Sequence, residues 1–227
     1  MFRKNPFRGY RLIALPVIAL GICFSPVDKT GSLSQYAFSQ KPTPNAPARD
    51  EENFYTKLAA QAEKRLLANV TYDGSYRAMT YPMGDVPAHI GVCSDVVIRS
   101  YRGVGIDLQE RVHRDMKKHF AAYPTKWGLK KPDTNIDHRR VLNLMTFFKR
   151  AGAALPITDA PADYRAGNIV AWDLADGLTH IGIVSTQVSK ESGNPLIVHN
   201  IGAGPVLEDM LFEYKIIGHY RYGAGKK

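Results

Sequence analysis

The chain has 227 residues, 44% of them hydrophobic, two cysteines and a formal charge of +9. That length and apolar content are enough for a sizeable core, and one domain is a simpler reading than two small ones. The positive balance is not gathered into Arg clusters interleaved with aromatics, which sets a nucleic-acid reader aside.

Arg3, Lys4, Arg8 and Arg11 precede an apolar run over residues 12–24, and a polar stretch rich in Ser, Thr and Gln follows. This is the layout of a secretory signal. The run is thirteen residues long and holds Pro16, whereas a membrane-spanning helix needs about 20 apolar residues. Residues 1–39 are therefore expected to be a signal peptide, with Ala37 and Ser39 marking a cut before Gln40. Left uncleaved, they would form an N-terminal anchor associating with the membrane through residues 12–24. A lipoprotein reading with Cys23 acylated is weaker, because Ile22 stands where that signal wants Gly or Ala. The expected location is periplasmic or extracellular, at the inner membrane if the anchor is kept. Residues 1–39 carry five Lys/Arg and one Asp, so the +9 falls to +5 without them. Such a balance suits solubility and anionic surfaces such as cell wall or lipid headgroups. Loss of this segment also removes Cys23 and leaves Cys93 without a disulfide partner, in a compartment that permits disulfides.

Residues 40–49 turn to Pro, Thr, Asn and Ala, the texture of a tether. A linker is expected over 40–52, a folded domain over 53–223 and a tail over 224–227. Asp50 stands where it would cap a helix over 51–69, with Phe54, Leu58, Ala62 and Leu66 as its buried stripe. "TYDGSYRAMTYP" alternates around an Asp-Gly turn and reads as a short strand or hairpin ending at Pro82. A helix follows Cys93 and ends at Gly103 and Gly105. Asp107 and Glu110 at capping-box spacing open a second, running to about Phe120. Asp137 is placed to cap a third, with Val141, Leu144, Met145 and Phe148 on one face and Gly152 closing it. From Ile169 the period becomes two, in "IVAWDL", "HIGIVSTQV", "PLIVHNI" and "IIGHYRY", which predicts a meander of antiparallel strands. Helices first and strands second imply an α+β fold with helices packed on one face of an antiparallel sheet.

A helix beginning at Cys93 places Val97, Ser100, Tyr101 and Val104 on the side of the thiol and Asp95, Arg99 and Arg102 on the side facing water. A thiol at a helix N-terminus meets unpaired N–H groups and the positive end of the dipole, which favour thiolate and can hold an oxyanion. Judged alone, a lone cysteine more often simply packs. What adds weight is the downstream hairpin. A near-symmetric pairing of "HIGIVS" with "PLIVHN" sets His180 opposite His199 or Asn200, and Gly182 leaves room beside His180. A base, an orienting partner and a nucleophile on the facing helix would make a Cys/His arrangement. A solvated strand-end histidine at 180 and a core histidine at 199 are the alternatives.

"CSDVVIRSYRGVGIDL" resembles the pattern C-S-x-x-V-x-x-x-Y-R-x-x-G-x-x-L around the nucleophile of the NlpC/p60 papain-like superfamily of cell-wall cysteine peptidases and amidases. "GNIVAW", "HIGIVS" and "IVHN" follow in the order of that superfamily's later strands. The chain also looks like an exported bacterial branch of it that carries only a domain-of-unknown-function label. The resemblance implies a papain-like α+β fold with Cys93 as nucleophile, His180 as general base and His199 orienting it. It also implies Tyr81, twelve residues before Cys93, as an aid to the oxyanion, and Asn200 as a polar neighbour of the triad. Two departures stand out: Asp95 where many relatives have Gly, and Asn168 in place of the Asp of the "G-D" strand.

Asn135, His138, Arg139 and Arg140 lie between nucleophile and base, where they could bind a carboxylate or phosphate of the substrate. A capped helix with a solvated basic face explains the same residues. His113 and His119 match no metal spacing, and no metal or other cofactor is expected. The implied activity is hydrolysis of an amide bond, in peptidoglycan stem peptides or another cell-envelope substrate, through a thioester. An acyltransferase or lipid hydrolase on the same triad, and a non-catalytic wall-binding module with an inert Cys93, are the other readings.

Overall fold

A computed structural model describes residues 49–175, 177–223 and 225. The export signal or anchor expected over 1–39 and most of the linker lie outside the described residues. None of the described helices is long and apolar enough to cross a membrane. The compact unit that begins at Pro44 holds four α-helices and a five-stranded antiparallel sheet, an α+β fold.

Helix α1 (Arg49–Glu63) starts inside the expected linker, with Asp50, Glu51 and Glu52 in its first turn, where carboxylates suit the helix dipole. It buries Tyr55, Leu58, Ala59 and Ala62. The stripe expected through Phe54 and Leu66 is only partly sealed, because the chain tightens into a 3₁₀ turn at Lys64–Leu67. Of the short strand or hairpin expected over residues 71–82, only a two-residue strand forms. Asp73 takes the Ser75 amide at 2.8 Å and Arg77 at 2.7 Å, folding the backbone into a local turn instead of a second strand. What remains is β1 (Thr71–Tyr72), paired in parallel with β2 (Ile90–Gly91).

Helix α2 (Cys93–Gly103) follows β2 after an extended Val92. Gly105, at φ +81°, lets the chain turn back so that the Ile106 amide bonds to Tyr101 at 3.0 Å. The expectation that Asp95 faces water is overturned: it is 2% exposed. Its Oδ2 accepts from the Val92 amide at 2.7 Å, capping the helix. Both carboxylate oxygens also accept from Arg139, Nε and Nη2 each at 2.9 Å. Arg139 reaches on to the Ser75 and Asp73 carbonyls, and its own carbonyl accepts from Ser94 Oγ at 2.7 Å. Arg99 and Arg102 keep partial exposure and share Asp85.

Helix α3 (Leu108–His119) is capped by Asp107, whose side chain accepts from the Gln109 amide at 2.9 Å. Asp137 does not cap the next helix. It accepts from the Asp133 amide at 2.6 Å within a buried 3₁₀ turn, Asp137–Arg139, and α4 (Val141–Arg150) starts beyond it. Gly152, at φ +67°, closes α4 as expected.

Strands β3 (Ile169–Asp173), β4 (Thr179–Val188), β5 (Pro195–His199), β6 (Val206–Glu208) and β7 (Lys215–Tyr220) form the sheet in the order β6-β5-β4-β3-β7. The meander is as predicted for its first three strands. The short β6 adds an edge, and β7 crosses back to pair with β3. The α-helices share one core with Ile169, Ile181, Ile183 and Val198. Tyr164, Trp172, Val184, Ile197, Met210 and Leu211 cover the opposite face, so the sheet is buried on both sides.

Breaking a buried ion pair by removing one partner strands the other charge. Arg139→Met is expected to lower unfolding free energy in urea by about 3–5 kcal/mol, and combining it with Asp95→Asn, which discharges the stranded carboxylate, should cost less than the two single changes added.

Candidate active site

The position of the thiol follows from the ladder of the sheet. The Val184 amide bonds to the Asn168 carbonyl at 2.9 Å, on the β3 side. Amides alternate in direction along an antiparallel strand, so those of Ile183 and Ile181 point towards β5. β5 ends at His199 and its last rung on β4 at this end is Ile183 with Val198. The Ile181 amide therefore has no strand partner on that side, and it donates to the sulfur of Cys93. The sulfur sits in the plane of the sheet where β5 has stopped, beside the residue that follows His180.

His180 Nε2 and His199 Nδ1 are 3.0 Å apart, with the rings nearly perpendicular. The expected direct opposition of these residues is corrected by the register: Ile183 pairs with Val198 and Val184 with Ile197, so the contact is diagonal. Gly182 makes it possible. A Cβ there would lie 2.7 Å from Ile197 Cγ2 and 3.1 Å from His199 Cβ, inside van der Waals contact. By alternation both imidazoles belong to the face of Val184 and Ile197, away from the helices. The arrangement expected on the helix-facing surface is thus corrected: Cys93 itself packs in the core shared by the helices and the other face of the sheet, so sulfur and imidazoles reach the end of β5 from opposite sides. On its far side His199 Nε2 lies 3.0 Å from Glu208 Oε2 on β6. Trp172, the rung partner of His180 on β3, packs its ring at 5.9 Å.

Asn200 ties the end of β5 to the approach to α2: its Nδ2 donates to the Gly91 carbonyl at 3.5 Å and its Oδ1 accepts from Gly202 at 3.1 Å. Tyr81 is not beside the thiol environment just described. Its ring meets His113 on α3 edge-on at 5.0 Å. Tyr72 on β1 takes that place, its hydroxyl hydrogen-bonding to the Cys93 sulfur. Burial, then the neighbouring Cys93 and Asp95, push the Tyr72 phenol up to about 12, so it stays a donor.

Of the four residues expected to bind substrate, Arg139, Arg140 and Asn135 are held by neighbours, and His138 is buried with its Nδ1 unpartnered. Arg139 is held by Asp95. Arg140 stacks on Trp127 at 4.2 Å and meets Asp137 at 3.4 Å. Asn135 accepts from the Met79 amide and donates to Tyr76, both at 2.9 Å. His138 is buried and burial drives its pKa down to about 4. These groups build the loop around α2 and leave no basic fork for a ligand. Asn168, in place of the "G-D" carboxylate, accepts from the Arg165 amide at 3.0 Å and contacts His219 Nε2 at 2.8 Å. Among the described residues no three His, Cys, Asp or Glu side chains are grouped to hold a metal.

The electrostatics correct the expected thiolate. Burial pushes Cys93 up to about 11; the amides of Ile181 and Ser94 pull the other way, and the Asp95 carboxylate adds to the rise. Burial, then His199, holds His180 down to about 3. Burial likewise lowers His199, against the pull of Glu208. The resting site is a protonated sulfur beside neutral imidazoles.

Iodoacetamide labelling of Cys93 in the resting protein should rise with pH along a titration near 11, instead of the roughly 8.5 of a free thiol. His138 and His180 predict the acid limb. Their folded values, about 4 and about 3, lie below the ordinary 6.5. The unfolded chain takes up these protons first, so their contribution is full above pH 6.5 and is lost as pH falls towards 3. Urea unfolding across that range measures it, and His180→Phe should flatten part of the slope.

Residues 59–222 match the family described as a domain of unknown function (DUF1287), a span that contains Tyr72, Cys93, His180, His199 and Glu208. A protein of Escherichia coli (strain K12) described as uncharacterized protein YijF is 47% identical over 191 residues, covering 84% of this chain and 93% of that protein. With the family matched from within α1 to just past β7, and a relative aligned over most of both lengths, the chain belongs to the DUF1287 family.

Proposed function

We propose that the protein is an exported cysteine hydrolase on a papain-like scaffold of the NlpC/p60 type, cleaving an amide bond in peptidoglycan stem peptides. The observation that carries the reading is the 3.0 Å contact of His180 with His199 at the strand position next to the buried Cys93 sulfur. A nucleophile, a base and a residue orienting the base recur together in many enzymes whose acyl transfer passes through a covalent intermediate.

Because sulfur and imidazole rest neutral, the proton leaves as the nucleophile attacks. His180 accepts the S–H proton while sulfur bonds to the carbonyl carbon, and the carbonyl electron pair moves onto oxygen. Amides at the start of α2 and the Tyr72 hydroxyl can donate to that oxyanion. His180 then passes the proton to the departing amine, and water releases the acyl group from sulfur. The modest positive charge outside residues 1–39 suits an anionic wall polymer.

A non-catalytic wall-binding role draws on one observation: Cys93 is 5% exposed and protonated at rest. One experiment separates the two. Purified sacculi incubated with the protein should release new muropeptides, detected by mass spectrometry, and Cys93→Ala should release none. Identical profiles for the two proteins would end the hydrolase reading. With the same assay, Tyr72→Phe is expected to lower the rate by up to about 10²-fold, the lower range for one oxyanion donor.

A further inference from the structure

Three polar side chains cross three neighbouring strands on one face of the sheet: Glu208 on β6, His199 on β5 and His180 on β4. Each step is diagonal. His199 pairs with Val206, two residues before Glu208, and its other nitrogen reaches His180 across the gap at Gly182. The contacts are 3.0 Å each, Glu208 Oε2 to His199 Nε2 and His199 Nδ1 to His180 Nε2.

With both imidazoles neutral, the hydrogen-bonding capacities of these groups allow one proton arrangement. A carboxylate only accepts, so His199 Nε2 must carry a proton and donate it to Glu208. A neutral imidazole has one N–H, and burial keeps His199 neutral. Its Nδ1 is then a lone pair, able only to accept. His180, also neutral, meets that lone pair through Nε2, so Nε2 carries its proton and Nδ1 is bare. Glu213 adds negative charge near His199, but it is Glu208 that makes the hydrogen bond.

We infer that Glu208 is a positioning residue: acting through His199, its carboxylate fixes His180 as the Nε2–H tautomer and so reserves Nδ1 for the proton of Cys93. This rests on the proposed hydrolase reading and extends it by one residue on the edge strand. In the attack step the S–H bond breaks and an Nδ1–H bond forms, giving an imidazolium whose Nε2–H still points to His199, with the Glu208 charge at the end of the row. Had the tautomers run the other way, His180 Nδ1 would already hold a proton and could take no other.

Glu208→Gln tests this with almost no change in shape. Glu208 is 54% exposed at its side chain, so the variant is expected to unfold at the wild-type temperature. A glutamine can turn its amide to donate to His199 Nε2, which permits the reversed row. Nitrogen NMR of ¹⁵N-histidine protein at neutral pH should find His180 and His199 each protonated on Nε2 in the wild type. In Glu208→Gln and in Glu208→Ala, a share of both should be protonated on Nδ1. Release of muropeptides should fall about ten-fold, part of the roughly 10²–10⁴-fold that a placed proton acceptor supplies. A His180 tautomer that is identical in the wild type and both variants, or an Nδ1–H in the wild type, overturns the inference whatever the sacculi show. Tautomers that move as stated while the wild type releases nothing uphold the hold of Glu208 on the row and reject the hydrolase.

Discussion

The buried pair of Asp95 and Arg139 is the contact from which the site takes its geometry. Taking two charges out of water is costly, and apolar residues of the same volume often serve stability as well. Here the pair joins segments far apart along the chain. Asp95 closes the first turn of α2 through the Val92 amide, and Arg139 gathers the carbonyls of Asp73 and Ser75 from the stretch after β1. Ser94, beside Cys93, is tied to the carbonyl of the same arginine. The helix start that presents the sulfur and the strand that presents Tyr72 are thereby held by one guanidinium. An aliphatic side chain offers no directed donors with which to do this.

The other half of the site is set by the sheet. Its constraint is steric, since the missing side chain at Gly182 lets two imidazoles on adjacent strands touch diagonally. The early end of β5 then leaves one amide of β4 without a rung, and sulfur fills that vacancy. Helix placement and strand register meet at Cys93, so an error in either would move the sulfur relative to His180 by a whole residue spacing.

Much of this was legible in the residues. Four helices, the strand-rich second half, the Gly105 and Gly152 endings and the meeting of His180 with His199 all follow from periodicity, turn chemistry and motif order. What escaped depends on contacts between distant positions. Nothing local to Asp95 says that Arg139, 44 residues away, will neutralise it, and solvent was the sensible expectation for a charged residue on an amphipathic helix. Tyr72 was hidden by the Asp-Gly turn that follows it, which reads as a hairpin until Asp73 is seen to use its carboxylate locally. Tyr81 drew attention only through spacing. Glu208 lies on a three-residue edge strand, too short for alternation to register, and its contact with His199 appears only once β6 is known to lie beside β5.

The seclusion of the sulfur has a consequence for the lifetime of the molecule. Peroxide and other oxidants attack the thiolate, and only where they can reach it; the products beyond sulfenic acid are not recovered without dedicated enzymes. A protonated Cys93, roofed by Tyr72 and set into the sheet, meets neither condition while the protein is idle. Burial and protonation thus shield the sulfur from oxidants without a disulfide.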